Sequence, residues 1–378
     1  MQAHLNFLRR KLIFRVRNKL HTITSLRDTP KAANVLLVTV PHELAETQLY
    51  PFHFYRSTLH QKYGVRCTQV PVDALVGADA DRLHGGAKHA HIKRIFFQPA
   101  FEMPPQLVVQ ALERLAAAYP MAKIAFMDWY APLHIRPAAY VDPYIDIYIK
   151  KQTYADFTNY SLPTLGDTNL NDFYARRHNL PDAQQQFIPP AGIEKKIRLG
   201  SNFGLSPLMV DLFLGKPPQV DSRDIDLHAR IAVKGIPWYQ VMRQEAKDAV
   251  QKLSENGGIH IVSEGRVRRH KFFEEMMKSK ICFSPFGYGE ICWRDYEAYA
   301  TGALLLKPDM AHLQVLPNVF VPNETYISLK WDLSDFEEKV ENILANNFLR
   351  KRVTKQAFEQ MQSWILSESY PQYLASLV

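Results

Sequence analysis

The stretch from Ile281 to Met310 constrains the fold more than any other part of the chain, because it contains two apolar runs separated by a loop and a helix. The first run, 281–284, is followed by Pro285 and two glycines, and the second run occupies 303–306. Residues 293–301 between them contain neither Gly nor Pro, and Gly302 ends the pattern. These signals predict a strand, a glycine loop, a short helix and a second, parallel strand.

The loop and the start of this helix should lie at the carboxyl end of a parallel strand, where backbone N–H groups and the positive helix end favour an anion. Gly287 and Gly289 form the loop, and Arg294 and Glu297 lie three residues apart on one helical face. The Arg294 guanidinium offers forked donors for phosphate oxygens. The Glu297 carboxylate can accept hydrogen bonds from neighbouring hydroxyls such as those of a ribose.

The run Pro285-x-Gly287, then Arg294-x-x-Glu297-Ala298, then Gly302 and an apolar strand resembles the donor-binding signature of GT-B glycosyltransferases, most nearly the exostosin-like and CgeB-like branches. The resemblance implies an α/β protein with two Rossmann-like lobes, whose parallel sheets face a central cleft, and a C-terminal helix that crosses back to the first lobe. It also implies that Arg294 meets the donor diphosphate and Glu297 the donor ribose. The alternative is an ordinary i,i+3 ion pair on a helix surface.

One departure from the pattern concerns Glu290. Many GT-B enzymes carry an E-x7-E motif, whereas six residues separate Glu290 from Glu297 in this sequence. No sugar-binding role is therefore assigned to Glu290.

Composition limits the class of protein. The chain has 378 residues, 47% of them hydrophobic, which is enough for two domains with proper cores. A net charge of +8 favours an acidic ligand or surface without choosing among nucleotide sugars, anionic lipids and nucleic acid. The three cysteines lack CxxC spacing, so they suggest neither a zinc site nor a disulfide framework. No apolar run is long enough to span a membrane and no secretory signal is evident, so we expect a cytoplasmic protein.

The first twenty residues form a basic amphipathic pattern. Six Lys and Arg side chains occur there without an acid, and apolar residues recur at helical spacing. Such a helix is typical of peripheral binding to an anionic membrane surface. The alternative is a solvated helix packed on its own protein.

Alternating strands and helices organise the rest of the chain. Strand signals at 34–40, 65–70, 92–97, 123–127 and 145–149 predict a Rossmann-like first lobe, and signals at 225–233, 259–263, 281–284 and 303–306 predict a second. The predicted divisions are a basic N-terminal segment at 1–29, an acceptor domain at 30–185, a linker at 186–224, a nucleotide-sugar donor domain at 225–350 and a C-terminal helix at 351–378.

Further residues are candidates for donor binding. Arg230 lies in the first predicted strand of the second lobe, and Arg266 and Lys271 lie in a basic loop that could neutralise a diphosphate leaving group. Tyr288 could stack on the nucleotide base or pack as core.

An inverting transferase needs a base for the acceptor hydroxyl, and we expect it from the first lobe. His42 directly follows the first strand, and Asp128 ends another strand. A retaining enzyme needs no such base in this place. No Asp-x-Asp stands before a nucleotide-site loop, so we predict no metal and no cofactor besides the donor.

The sequence thus predicts a glycosyltransferase that moves a sugar from a nucleotide-sugar donor to a hydroxyl of a glycan or lipid-linked acceptor. The alternative is a non-catalytic protein that binds nucleic acid or anionic glycan on a degenerate GT-B scaffold. No nucleic-acid-binding motif occurs, so no specific nucleic-acid partner is expected. A Rossmann dehydrogenase is disfavoured because the first strand lacks GxGxxG.

Overall fold

The computed structural model describes residues 33–72, 92–180, 186–219 and 222–378. The predicted basic segment at 1–29 lies outside these ranges. Two parallel sheets form the cores of two lobes. Among the described residues, no helix is both long and apolar enough to cross a bilayer.

The first lobe is built on a six-stranded sheet with the order β2-β1-β3-β4-β5-β7. Its central strands are buried on both faces, as parallel strands covered by helices are. The strands are β1 Ala33–Thr39, β2 Val65–Pro71, β3 Ile92–Gln98, β4 Lys123–Asp128, β5 Ile147–Lys150 and β7 Ile197–Leu199. Strand order reverses between β1 and β3, so the ends of these two strands flank the crevice where α/β sheets bind ligands.

The second lobe repeats this arrangement with five parallel strands in the order β13-β11-β10-β8-β9. Its strands are β8 Ile225–His228, β9 Ile261–Val262, β10 Ser279–Phe283, β11 Leu304–Pro308 and β13 Ile327–Leu329. The order reverses between β8 and β10. The corresponding crevice is therefore formed by the loops that follow these two strands.

Helices cover both sheets. In chain order they are α1 Glu43–Phe54, α2 Arg56–Tyr63, α3 Pro105–Ala118, α4 Ala138–Val141, α5 Asn169–Arg177, α6 Pro207–Phe213, α7 Pro237–Glu255, α8 Arg269–Lys278, α9 Trp293–Thr301, α10 Phe336–Ala345, α11 Asn347–Leu366 and α12 Ser369–Ser376. Helix α9 has the bounds predicted from the sequence, and Gly302 ends it with a left-handed backbone at φ 72°.

A strand pairing and the C-terminal helices are among the contacts that join the lobes. Strand β12 Leu313–Val315, which follows β11, pairs antiparallel with β6 Gln152–Tyr154 of the first lobe. Helices α11 and α12 return to the first lobe, where the Tyr55 hydroxyl donates to the Ile365 carbonyl at 2.6 Å and the Tyr373 hydroxyl donates to the Leu199 carbonyl. The predicted C-terminal crossing is confirmed.

The end of strand β8 differs from the sequence prediction. Strand β8 ends at His228, so Arg230 lies beyond the strand rather than within it. Apolar continuity through Ile231 and Val233 favours a longer strand, but that segment has left the sheet and begins the loop to α7. In the first lobe, helix α1 begins at Glu43, and the His42 side chain caps it.

Candidate active site

The carboxyl ends of the two sheets face each other. The loop after β4 meets the glycine loop after β10 so closely that a Cβ on Gly289 would lie 2.2 Å from the Ala131 carbonyl oxygen. Across the same cleft, Arg269 Nη1 lies 3.9 Å from Glu43 Oε1, directly after His42. Loops that follow strands of both lobes therefore bound one cleft.

Arg294 spans the crevice of the second lobe. Its Nη1 donates to the Phe283 carbonyl at the end of β10, at 3.3 Å, and its Nη2 donates to the Arg230 carbonyl beyond β8, at 2.6 Å. The guanidinium also packs over the Phe272 ring, 5.7 Å from its centroid. The side chain thus fixes the two loops between which a ligand of this lobe would bind.

A buried ion pair holds the start of α9, and the sequence prediction missed it. Asp295 and Lys307 are both fully buried, with Nζ and Oδ1 3.1 Å apart. Asp295 also accepts from the Ser284 hydroxyl at 2.6 Å and from the Cys292 N–H at 2.9 Å. Because one carboxylate joins β10, the loop and the helix, the loop backbone is rigidly placed.

Glu297 is buried, with only 6% of its surface exposed. Burial raises the pKa of its carboxyl, although Arg269 opposes the shift. Its Oε1 lies 3.4 Å from Arg269 Nη2, and no ion pair joins it to Arg294 within the part of the chain that the structure describes. The surface i,i+3 pair considered from the sequence is therefore not what these two residues form.

Arg230 donates two hydrogen bonds to the Glu275 carboxylate, from Nε at 2.8 Å and from Nη2 at 3.0 Å. Its remaining Nη1 donates to the Gly265 carbonyl at 2.9 Å, which ties the basic loop to the crevice. His228, fully buried at the end of β8, lies 3.5 Å from the same carboxylate. Burial and the nearby Arg294 lower the pKa of His228 to about 4, so its ring is neutral at physiological pH.

The other donor candidates differ in their surroundings. Arg266 is exposed in the loop that follows β9, as predicted, whereas Lys271 lies in the first turn of α8 and not in that loop. Lys271 is exposed there, 4.0 Å from Glu274. The Tyr288 ring packs on Trp238, with centroids 5.5 Å apart, and its hydroxyl hydrogen-bonds to the Asp167 carboxylate of the first lobe. Packing thus occupies Tyr288, while the roles of all three in donor binding stay predictions.

Of the two candidate bases, His42 is exposed at the cleft and Asp128 is buried. His42 Nδ1 accepts from the Leu44 N–H at 3.1 Å, so the neutral ring carries its proton on Nε2 and presents a donor to the cleft. Asp128 accepts from the Tyr148 hydroxyl at 2.6 Å and from Lys150 Nζ at 2.8 Å. Both of these donors bind Oδ2, and the Tyr130 N–H donates to Oδ1 at 3.0 Å, so each carboxylate oxygen is already hydrogen-bonded. The role of His42 and of Asp128 in catalysis stays a prediction.

The sequence did not indicate that two charged side chains, Lys151 and Glu290, are buried at the contact between the lobes. Lys151 follows β5, is 3% exposed, and lies over the Phe203 ring at 4.5 Å. Burial, with a contribution from Lys150, lowers the pKa of its ammonium group to about 7. Glu290 is fully buried; its Oε1 accepts from Asn169 at 2.6 Å, and its Oε2 has no partner among the described residues.

The chain is similar to several solved structures. An alpha-glucosyltransferase in complex with UDP superposes with a TM-score of 0.50 at 9% identity, covering 91% of this chain and 98% of that one. Sucrose-phosphate synthase from Thermosynechococcus elongatus gives 0.49 at 12% identity, with 91% of this chain and 98% of that chain covered. A glycosyltransferase from Rickettsia africae gives 0.46 at 10% identity, with coverages of 92% and 99%.

No protein family model and no curated protein matches the sequence. The likeness to the alpha-glucosyltransferase concerns the fold, and it confirms the predicted GT-B architecture of two Rossmann-like lobes. Membership of an exostosin-like or CgeB-like branch stays a prediction.

Proposed function

We propose that this protein is a glycosyltransferase that transfers a sugar from a nucleotide-sugar donor to a hydroxyl of a glycan or lipid-linked acceptor. The observation that carries the proposal is Arg294, which bridges the ends of β10 and β8 at the point where strand order reverses. This is where open α/β sheets bind nucleotides. The similar alpha-glucosyltransferase was solved with UDP, which makes UDP the first nucleotide to test.

In this proposal the diphosphate lies at the N-terminal end of α9, against the loop of Gly287 and Gly289. The positive end of the α9 dipole and the Arg294 guanidinium stabilise its charge, which grows as the sugar leaves. The buried Glu297 carboxylate accepts from ribose hydroxyls and exchanges its 3.4 Å contact with Arg269 for them. Arg230, Arg266 and Lys271 supply further positive charge at the same sheet edge.

The acceptor occupies the first lobe, next to His42. Because the α1 cap sets the proton on Nε2, His42 acts as a base only if its ring releases the Leu44 N–H. In the capped form it donates a hydrogen bond to the acceptor, which suits a retaining reaction that needs no base here. Neither form uses a metal or a cofactor beyond the donor. A cytoplasmic location, with residues 1–20 resting on an anionic membrane, completes the proposal.

The test is calorimetric titration with UDP and GDP at moderate salt. Arg294→Lys and Glu297→Gln preserve size, and each should weaken binding by about 1.5–3 kcal/mol, which is more than tenfold. Arg352 is the matched control, because its guanidinium also binds a backbone carbonyl, that of Asn323 at 3.2 Å, but on α11 away from the crevice. Arg352→Lys should leave affinity unchanged.

Equal affinity in all variants, or no nucleotide binding by the folded wild-type chain, would refute the proposal. Binding that instead prefers nucleic acid and weakens steeply with salt would support the non-catalytic alternative.

A further inference from the structure

Four aromatic rings form a connected surface at the carboxyl edge of the first-lobe sheet. We call His42, Phe101, Trp129 and Tyr130 the aromatic platform. His42 contacts Trp129 with ring centroids 4.9 Å apart, Trp129 contacts Tyr130 at 5.5 Å, and Tyr130 contacts Phe101 at 4.7 Å. The loops that carry them follow β1, β3 and β4, so the platform lies at the crevice where this sheet reverses its strand order.

The platform is rigid. Trp129 Nε1 donates to the Pro99 carbonyl at 2.8 Å, and the Tyr130 hydroxyl donates to the Ala100 carbonyl at 3.2 Å. Trp129 is 6% exposed and supports the surface from below, whereas Phe101 is 53% exposed. A half-exposed ring on a loop fixed by two side-chain hydrogen bonds presents apolar area that a ligand can cover with little loss of conformational entropy.

The charges at the rim decide which ligand fits. Glu43 and Glu102 are exposed beside the platform. The Glu43 side chain is 78% exposed, although Arg269 approaches it. Burial is the main cause of the raised pKa of Tyr130, and the charge of Glu102 adds to it, which shows that Glu102 lies near the ring. Carboxylates repel phosphate groups of nucleic acid and anionic lipid, but they accept hydrogen bonds from hydroxyls. A neutral ring with an apolar face and a hydroxyl-bearing edge fits this site, because the apolar face can pack on the aromatic surface while the hydroxyls donate hydrogen bonds to Glu43 and Glu102.

We infer that the aromatic platform is the acceptor subsite and that it binds a pyranose ring of a neutral carbohydrate, stacked on the half-exposed Phe101 ring, with Tyr130 standing at 83° to Phe101 as a side wall. This inference rests on the proposed function and narrows its acceptor from a glycan or lipid-linked group to a sugar ring.

The test uses an array of neutral and acidic oligosaccharides, with the full chain and three variants. Phe101→Ala should weaken binding to neutral oligosaccharides about tenfold, as expected for loss of one aromatic stacking contact. Phe101→Tyr keeps the ring face and should retain binding. Phe348→Ala is the matched control, because Phe348 is 76% exposed on α11, in the other lobe, and its loss should change nothing.

UDP titration of the same variants separates this inference from the proposed function. Phe101→Ala should bind UDP as the wild type does, so a failure of UDP binding in every protein would count against the proposed function alone. The inference is overturned by a wild-type chain that binds no neutral oligosaccharide, by glycan binding that Phe101→Ala leaves intact, or by a Phe101-dependent preference for duplex DNA or phosphatidylglycerol vesicles.

Discussion

Lys150 and Lys151 are adjacent buried lysines, and their substitution by methionine should change stability in opposite directions. Lys150 Nζ binds the Asp128 carboxylate at 2.8 Å and the His134 carbonyl at 3.2 Å. Lys151 has the Phe203 ring at 4.5 Å as its principal contact, and no hydrogen bond to it is found in the described part of the chain. Burial outweighs the attraction of Lys151 to Asp128 and Glu290, so its charge destabilises the folded state. By contrast, removing one member of the Lys150–Asp128 pair leaves the other uncompensated.

The magnitude follows from the pKa of Lys151, which burial lowers from 10.5 to about 7. Each pH unit in this interval corresponds to about 1.36 kcal/mol, so burying the charged group costs about 5 kcal/mol at or below pH 7. The Phe203 ring offsets up to about 2 kcal/mol of this. Lys151→Met should therefore stabilise the protein by about 3–5 kcal/mol at pH 6. Lys150→Met should destabilise it by about 3–5 kcal/mol.

The pH dependence gives a second check. Between about pH 7 and pH 10.5, Lys151 is protonated in the unfolded chain and neutral in the folded protein, so the stability of the wild type rises with pH across this interval. The advantage of Lys151→Met is thus complete below about pH 7 and should shrink by about 1–3 kcal/mol at pH 9. Urea denaturation of the wild type and both variants at pH 6 and pH 9 measures this. A Lys151→Met protein less stable than the wild type at pH 6, or an advantage equal at both pH values, would refute the reasoning.

Three further predictions concern the cleft and the N-terminus. Gly289→Ala should lower the free energy of unfolding by about 1–3 kcal/mol in thermal melts, because its Cβ would lie 2.2 Å from a carbonyl oxygen. Gly287→Ala should be tolerated, because a Cβ there would meet nothing closer than 3.5 Å. Equal melting temperatures of the two variants would contradict the tight approach of the lobes. His42→Asn keeps an N-cap side chain but removes the imidazole, so transfer should fall about 10²–10⁴-fold in a radiolabelled-donor assay while UDP affinity changes only a few-fold; full activity would exclude any catalytic role for His42. Removal of residues 1–20 should abolish sedimentation with phosphatidylglycerol vesicles and leave a folded protein; unchanged sedimentation would show that the membrane interpretation is wrong.

The sequence allowed the β10–α9–β11 unit to be predicted closely, because its signals are local. Apolar runs of strand length, an interval free of Gly and Pro, and Gly302 at the required left-handed position all lie within a single stretch of chain. The end of β8 was missed, since an apolar segment can leave a sheet without a change of composition, and Arg230 was placed in the strand as a result.

The surroundings of the candidate site residues could not be predicted, because they depend on contacts between distant segments. The sequence shows Asp128 only as a carboxylate at the end of a strand, whereas in the structure β5 places Lys150 beside it. Glu297 reads as an exposed helical residue until α8 covers it and supplies Arg269. No local pattern distinguishes Lys150, which has an anionic partner, from Lys151, which has an aromatic ring.

The pairing of β12 with β6 has a consequence for protein engineering. A chimera that joined the first lobe of this chain to the second lobe of another would need a foreign strand to continue a ladder in which Leu313 lies opposite Tyr154 and Val315 opposite Gln152. It would also need a foreign C-terminus to fit Tyr55 and Ser201. Recombination within 186–224 therefore separates β6 from β12, which pair in a fixed register. Chimeras that take 152–154 and 313–315 from the same parent should fold better.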